Sequence, residues 1–317
     1  MGSPVSLRAA LPGRPITKKK MNKQRWVLLG MVLIPFAALV TFAYVPIWGW
    51  LIAFFKYSPG RPLFSSPFVG LDNFKRLFQG TQFLNVLRNT LALSFLSLAM
   101  SPVPLIFAIL LNECRGKFFK RFIQTAASLP NFISWVIVYS IFFMFLSVED
   151  GFINTWLINL GLVDKRISFL TNSNMVWPLQ TFIALWKSMG WSAIVFLAGI
   201  AGIDQELYQA AEVDGAGRFG KIWHITLPGL MPTFTILLIL SVGGILSNGF
   251  SQYWMFWNPV INNQIQVIDI YVVRMGIEQF NFSFATAVGI FKTIVSVILL
   301  VSVNSIAKRI SGGTSIL

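Results

Sequence analysis

Long apolar segments separated by short polar ones set the pattern of this chain. Each apolar segment reaches the roughly 20 residues that a helix needs to cross a bilayer. The pattern predicts transmembrane helices at residues 27–55, 89–111, 130–148, 177–203, 228–250 and 284–307. The first is too long for the core of a secretory signal, which has roughly 7 to 15 apolar residues. The predicted fold class is therefore an all-α membrane protein with six transmembrane helices.

Composition also indicates a membrane protein. Of the 317 residues, 55% are hydrophobic and only 11% are charged, which is too apolar for a soluble domain of this size. The net charge of +14 suggests nucleic acid in a soluble chain, but here the basic residues flank apolar spans, where they determine topology. One cysteine, Cys114, allows no internal disulfide, and one histidine, His224, leaves a metal cluster without its usual ligands. We expect a lipid bilayer around the chain, no nucleic-acid partner and no metal.

The distribution of basic residues predicts which segments lie in the cytoplasm. Fifteen of the 25 Lys and Arg residues fall in the segments 1–26, 112–129, 204–227 and 308–317, and eight fall in the segments on the opposite side. The positive-inside rule therefore predicts that both termini are cytoplasmic. The predicted organisation is a basic cytoplasmic tail at 1–26, a first transmembrane helix at 27–55, an external loop at 56–84, a core of five transmembrane helices at 85–307, and a cytoplasmic C-terminus at 308–317.

One cytoplasmic segment, residues 204–228, has the composition of a soluble helix and turn. Asp204 is a suitable N-cap, helix-forming residues follow it, and Gly215 is placed to end the helix in a left-handed conformation that other residues resist. A second short helical run is predicted from Arg218 to Thr226, and Pro228 suits the first turn of the next span. The pattern predicts a helix-turn-helix between two membrane spans.

The same segment carries a motif of fixed spacing. Its positions in this chain are Gln209, Ala210, Ala211, Gly215, Ile225, Leu227 and Pro228. The spacing resembles the EAA loop, Glu-Ala-Ala-x3-Gly-x9-Ile-x-Leu-Pro, of permease subunits of type I binding-protein-dependent ABC importers. The surrounding residues are similar to the carbohydrate and oligosaccharide branch of that family, including its polysaccharide and alginate types. The chain departs from the motif at one position, where Gln209 replaces the leading Glu.

The resemblance implies a fold, a mechanism and partners. The fold is that of a type I ABC importer permease, and the subunit imports an oligosaccharide across the bacterial inner membrane by alternating access. It is not an enzyme and has no catalytic residues. It binds no cofactor itself, because ATP and Mg are used by separate subunits. The implied partners are a second homologous permease in a heterodimer, a dimer of ABC ATPase subunits and an extracytoplasmic solute-binding protein.

Contact with the ATPase is the role that the resemblance implies for the 204–228 loop. Gln209 lacks the charge of the motif Glu, and Glu206 and Glu212, three residues to either side, are candidates to supply it. The residues predicted to couple to the ATPase are Glu206, Gln209, Ala210, Ala211, Glu212, Asp214, Gly215, Ile225, Leu227 and Pro228.

Two groups of residues are candidates for the substrate pathway. Lys187 is a charge near the middle of a span, which is costly unless it faces water or a partner. It either attracts an acidic sugar, or snorkels or pairs within the permease dimer. Its neighbours Trp186 and Trp191 either stack on sugar rings or pack within the membrane. The second group has amides and rings that suit a carbohydrate, a hydrated loop or a docking surface equally well, and consists of Asn248, Gln252, Tyr253 and Trp254.

The identity of the substrate and the class of transporter have alternatives. Two lysines within spans, Lys187 and Lys292, favour an anionic saccharide such as an alginate or other uronate oligomer, and a neutral oligosaccharide or another solute is the alternative. A secondary carrier is the rival class. It needs carboxylates inside the membrane for ion coupling, whereas every acid of this chain falls in a loop or at a span boundary.

Overall fold

A computed structural model describes residues 23–310 of the chain, and its regular structure within that range is helical. An isolated antiparallel bridge between Phe55 and Phe68 is the one sheet-like pairing in this part of the chain. The α-helices in chain order are α1 Lys23–Leu39, α2 Asp72–Gln79, α3 Thr81–Ala99, α4 Pro102–Glu113, α5 Lys117–Ser128, α6 Trp135–Leu146, α7 Phe152–Asn159, α8 Val176–Ala201, α9 Gln205–Val213, α10 Arg218–Lys221, α11 Leu227–Gly243, α12 Ser251–Phe256, α13 Asn262–Ile265, α14 Ile268–Val273 and α15 Phe282–Ile310.

The chain divides into two compact units after Gly49. The described part of the first unit begins with α1, which continues into a π-helical turn at Val40–Tyr44 and a 3-10 segment at Val45–Phe54 that runs into the second unit. The helical run Trp26–Phe54 has 29 residues and is apolar enough to cross a membrane. It agrees with the span predicted at 27–55. The predicted basic tail lies outside the described residues, apart from its last few positions.

The second unit holds the other spans. Its long apolar helices are Thr81–Glu113, Val176–Ala201, Arg218–Gly243 and Phe282–Ser305. The first of these begins earlier than the predicted 89, because α3 already starts in the last residues of the predicted external loop. Polar residues such as Gln82 and Arg88 lie on the exposed face of its first turns, whereas Phe83 and Val86 are buried on the other face. The polar residues interrupt the apolar pattern, so the sequence did not predict these turns as part of the span.

The third predicted span is broken. In place of one helix over 130–148, α5 and a 3-10 turn at Leu129–Phe132 form one arm, α6 forms the other, and the arms meet at a bend of 107°. Pro130 lacks the N–H that a continuing helix needs, and Ser134 caps α6 through its Oγ, which accepts from the N–H of Ile137 at 3.4 Å. α6 has 12 residues, roughly 18 Å at 1.5 Å per residue, which is too short to cross a bilayer alone. The segment predicted as a cytoplasmic loop at 112–129 thus contains α5, and counting the bent pair of α5 and α6 as one span gives six.

The fifth span is one helix from Arg218 to Gly243. It includes the predicted short run at 218–226, because a π-helical turn at Ile222–Thr226 connects α10 directly to α11. Pro228 cannot donate to the carbonyl four residues earlier, and the wider π turn accommodates this missing bond. The helix ends seven residues before the predicted position 250, where the N–H of Gly244 turns back to the carbonyls of Leu240 and Ser241.

Helix α8 is central to the second unit, since it contacts α3, α4, α5 and α11. In its first half, Ile183 joins a buried cluster with α6 and the segment between the last two spans. Towards its other end, Phe196 and Ile200 join a second cluster that includes Leu105 of α4 and Leu230 of α11. Three residues after its end, the chain enters α9. The 204–228 loop therefore directly follows α8, the helix that contacts four other helices of this unit.

Candidate functional site

In the loop at 204–228, α9 is capped by hydrogen bonds at both ends. Asp204 caps the start, where its Oδ1 accepts from the N–H two residues later at 2.9 Å. At the other end Gly215 has a φ of +78°. The N–H of Ala216 donates to the carbonyl of Ala211 at 2.8 Å, and that of Gly215 to the carbonyl of Glu212 at 3.1 Å, which is a Schellman motif. The predicted N-cap and left-handed glycine are confirmed.

The inner side of α9 is attached to the start of the fifth span. The hydroxyls of Tyr208 and the buried Thr226 are 2.9 Å apart, and Lys221 Nζ lies 3.3 Å from a carboxylate oxygen of Glu212. A longer pair of 3.9 Å joins Arg218 to Glu113 at the end of α4. Exposed pairs of this kind contribute at most about 1 kcal/mol each. The buried hydroxyl contact and the short turn therefore do most to hold α9 against the span.

The outer side of the loop presents polar and apolar side chains together. Three large apolar residues are strongly exposed: Val213 at 89%, Phe219 at 88% and Trp223 at 67%. Contiguous exposed apolar side chains are characteristic of protein interaction sites. We define the outer face of the loop as six of its exposed residues, namely Glu206, Gln209, Ala210 and Val213 at α9 and Phe219 and Trp223 in the helical run that follows.

The structure distinguishes the two carboxylates that were predicted to replace the motif Glu. Glu206 lies on the outer face beside Gln209, one helical turn away, and no ion pair engages it within residues 23–310. Glu212 pairs instead with Lys221 on the inner side. Glu206 is therefore the carboxylate free to meet a partner at this face.

The remaining motif residues shape the loop. Asp214 is exposed at the C-cap of α9, and Ala211 is half-buried beneath the turn. Nothing lies within 4 Å of a Cβ built on Gly215, so its backbone conformation, and not lack of space, requires glycine. Among the last motif residues, Ile225 and Leu227 are half-buried and Pro228 is exposed.

Two adjoining cavities lie among α3, α4, α8 and α11, with volumes of about 500 and 210 Å³. They share Ser97, Ser101, Ala184 and Ser241, and none of the described residues that line them is charged. Sequence reasoning missed the hydroxyls of this lining, although Ser94, Ser97 and Ser101 repeat at helical spacing on one face. The serine and threonine residues of the lining are Ser94, Ser97, Ser101, Thr181, Ser188, Ser192, Ser241 and Ser247.

Three residues of the predicted amide and aromatic group line the smaller cavity. Asn248 donates to Ser94 Oγ at 2.9 Å, and the buried Gln252 donates to the side-chain and backbone oxygens of Gln180, both at 2.9 Å. Tyr253 also lines it, and burial raises the pKa of its phenol well above the usual value. Trp254, the fourth residue, stacks on Phe250 at 5.0 Å and is not part of the lining.

The structure places the Lys187 group outside the lining of both cavities. Trp186 packs edge-to-face on Phe142, and the half-exposed Trp191 on Phe132, each at 5.5 Å between ring centroids. The ammonium of Lys187 donates to backbone carbonyls at the break of the third span. Sugar contact by these three residues stays a prediction.

The second span lysine is also engaged within the chain. Lys292 forms an ion pair with Asp269, whose other oxygen accepts from the N–H of Gly249 at 3.0 Å. Both lysines thus have partners of their own. The electrostatic reason given for an anionic saccharide, that these charges are available to attract it, is therefore not supported.

Comparison with known proteins identifies the family. The binding-protein-dependent transport system inner membrane component family matches residues 100–314, which is more than half of the chain. The chain belongs to this family. The permease is also similar over most of its length to two proteins of Bacillus subtilis (strain 168). It is 44% identical to Protein LplB, covering 91% of this chain and 90% of that one, and 41% identical to the polygalacturonan/rhamnogalacturonan transport system permease protein YteP, covering 92% and 90%.

A solved structure supports the same assignment. The permease superimposes with a TM-score of 0.84 on a chain of the bacterial alginate ABC transporter in complex with alginate pentasaccharide-bound periplasmic protein, at 36% identity over 92% of this chain and 97% of that one. It therefore has the predicted type I ABC importer permease fold and is a multi-pass membrane protein. It is a transport subunit of an ABC importer and not an enzyme, which decides against the secondary carrier.

The left-handed backbone at Gly215 generates a prediction with an internal control. A side chain in this conformation costs about 1 to 2 kcal/mol, so Gly215→Ala is expected to distort the end of α9 and to lower uptake severalfold in cells with equal permease levels. Gly217→Ala adds the same methyl group two residues later, where φ is −67° and space is equally open. It should leave uptake unchanged. Equal uptake by both variants would contradict the role given to the turn.

Proposed function

We propose that the permease carries an oligosaccharide across the bacterial inner membrane as one half of a heterodimer. A separate pair of ATPase subunits, which use ATP and Mg, drives it, and an extracytoplasmic binding protein delivers the sugar. The observation that carries this proposal is the similarity to the alginate transporter chain along almost the whole length of both chains. An acidic saccharide is the proposed substrate, since the names of this neighbour and of YteP both include acidic polysaccharides.

The two cavities are the proposed path of the sugar. Hydroxyl and amide groups pair with sugar hydroxyls, and a lining without charge releases a polar ligand more readily than an ionic site does. Ser188 and Ser192 of α8 face Ser97 and Ser101 of the second span across this space. In a dimer, the opposite wall comes from the second permease.

The proposed topology puts the 204–228 loop and both termini in the cytoplasm. Support comes from the basic residues, fifteen of which fall in the sequence segments predicted to lie on that side, although three of the fifteen, Lys117, Lys120 and Arg121, belong to α5. The outer face of the loop is then available to the ATPase, and the segment between the last two spans faces the binding protein. Closure of the ATPase pair on ATP would move α9, and through it α8 and the fifth span.

The direct test of the substrate uses the complete complex in proteoliposomes. We expect ATP hydrolysis to rise when the binding protein is supplied with uronate oligomers, and to rise less with neutral oligosaccharides of the same length. Stimulation by neutral sugars alone would reject the acidic class and keep the importer. Uptake driven by an ion gradient without ATP would reject the coupling itself.

Filling the cavity should block transport without affecting assembly. Ser188→Phe introduces a ring into the larger cavity, so uptake is expected to fall to background while the permease still copurifies with its ATPase. Ser305→Phe is the matched control, because Ser305 also donates to the carbonyl four residues earlier but is exposed on α15. Normal uptake by the Ser188 variant, measured with labelled sugar, would place the path elsewhere.

The outer face offers a test of the missing motif carboxylate. Glu206→Gln is expected to reduce retention of the ATPase severalfold, since it removes the free carboxylate beside Gln209. Adding Gln209→Glu to that variant should restore retention, because the charge returns to the same face one turn away. Asp72→Asn, at an exposed carboxylate outside the loop, serves as the control. Copurification at several salt concentrations gives the measurement, and failure of the double variant to recover would show that charge at this face is not what the ATPase recognises.

A further inference from the structure

The break in the third span creates an unusual demand on the backbone. A helix interrupted within a bilayer leaves carbonyls without partners, and no water is present in the hydrocarbon region to replace them. The carbonyls concerned belong to Pro130, Asn131 and Ile133, at the C-terminal end of the α5 arm and in the turn to α6. A backbone carbonyl that is buried in lipid without a hydrogen bond destabilises the protein by several kcal/mol.

Lys187 of α8 satisfies all three carbonyls with one group. Its Nζ lies 2.8 Å from the oxygen of Pro130, 2.9 Å from that of Asn131 and 2.7 Å from that of Ile133. Three acceptors around one nitrogen require three N–H donors, which only a protonated ammonium has. The side chain is buried, at 8% exposure, and its charge also lies 5.4 Å from the centre of the Trp135 ring.

The charge is favourable at this position for a second reason. The carbonyl end of a helix carries partial negative charge, and a cation there is stabilising. Lys187 comes from a different helix, so it fixes α8 to the end of the α5 arm and to the start of α6 at the same time. These contacts within the chain explain how a charge near the middle of a span is tolerated.

Close backbone packing one turn away strengthens the same junction. A Cβ built on Gly190 would lie 2.2 Å from the carbonyl carbon and oxygen of Ala127 and 2.6 Å from the nitrogen of Ser128. α8 and the end of α5 are therefore in backbone contact, with no side chain between them. The two helices meet at Lys187 and at Gly190 on the same side of α8.

We propose that Lys187 is a positioning residue for transport, which makes the bent third span move together with α8. Only three residues separate α8 from α9, and the hydroxyl contact and caps of the loop hold α9 in a fixed shape. Movement imposed on the outer face of the loop therefore reaches α8 directly, and Lys187 with Gly190 passes it to the break. This inference rests on the proposed coupling of the loop to an ATPase.

The test compares two removals of a lysine from a span. Lys187→Met keeps a long apolar side chain but leaves the three carbonyls unpaired. In the assembled complex, stimulation of ATP hydrolysis by the loaded binding protein is expected to fall roughly 5-fold or more, with basal hydrolysis retained. The control, Lys292→Met with Asp269→Asn, removes the other span lysine without leaving a bare carboxylate and should keep normal stimulation. Lys187→Arg retains the cation but has a planar donor group, so this variant should recover part of the stimulation that Lys187→Met loses.

A distance readout separates positioning from a general loss of stability. In a Cys114→Ser background, a bimane label on Phe132→Cys lies beside Trp191, which quenches its fluorescence at short range, and Trp191→Phe measures that contribution. With Lys187 present, quenching should be the same with and without ATP. In the Lys187→Met complex it should decrease or become dependent on ATP. Normal stimulation, or unchanged quenching, in that variant would overturn the inference, whereas an unstimulated wild-type complex would refute the proposed coupling instead.

A second change reaches the junction without altering charge. Gly190→Ala pushes α8 away from the end of α5, so it should reproduce the loss of stimulation and of quenching. Gly289→Ala adds the same methyl to α15, where nothing lies within 4 Å of the added atom, and should have no effect. If the Lys187→Met complex fails to assemble, the comparison of Gly190→Ala with Gly289→Ala tests the inference instead. Equal stimulation and equal quenching in these two variants would show that the contact between α8 and α5 does not transmit movement.

Discussion

Every polar group of the backbone needs a partner inside a bilayer, and this constraint governs each place where a span of the permease is not a simple helix. The fifth span passes Pro228 by widening into a π turn, and it ends where Gly244 donates back into its last turn. The third span breaks completely, and there the chain uses a charged side chain from another helix. The arrangement of α8 against the bent pair follows from this solution, because the carbonyls and Lys187 must meet at one point.

The sequence predicted those structural features that depend on residues close together in the chain. The N-cap at Asp204, the left-handed Gly215 and the positions of most spans follow from short-range chemistry, and all were recognised. The break near Pro130 was not, since hydropathy records that a segment is apolar but not that its helix bends. The partners of Lys187 lie more than 50 residues away in the chain, so the sequence indicates a charge that attracts a sugar, snorkels or pairs within the permease dimer, but not the carbonyls that it contacts. The serine lining was missed for a similar reason, because weakly polar residues do not interrupt an apolar pattern.

Helix α8 joins three levels of the molecule. In its first half, Gln180 is hydrogen-bonded to Gln252 beside the smaller cavity. In the middle, Lys187 contacts the break of the third span, and after its end the chain turns into α9. The larger cavity is lined by this same helix through Ser188 and Ser192. The proposed sugar path and the proposed ATPase contact thus both involve α8 or the helix α9 that follows it after three residues, so a displacement of one is expected to move the other.

The Schellman closure of α9 has a consequence for how the loop meets its partner. Its terminal hydrogen bonds are made within the loop, between Ala216 and Ala211 and between Gly215 and Glu212, so the helix does not rely on another protein to complete its ends. Binding to a preorganised helix avoids the entropy cost of folding a segment on contact. Association with the ATPase should accordingly have the small heat-capacity change of rigid surfaces meeting, and not the large one of coupled folding. In the proposed complex, movement of the ATPase would then displace α9 as a rigid helix, because no free energy is spent on ordering it.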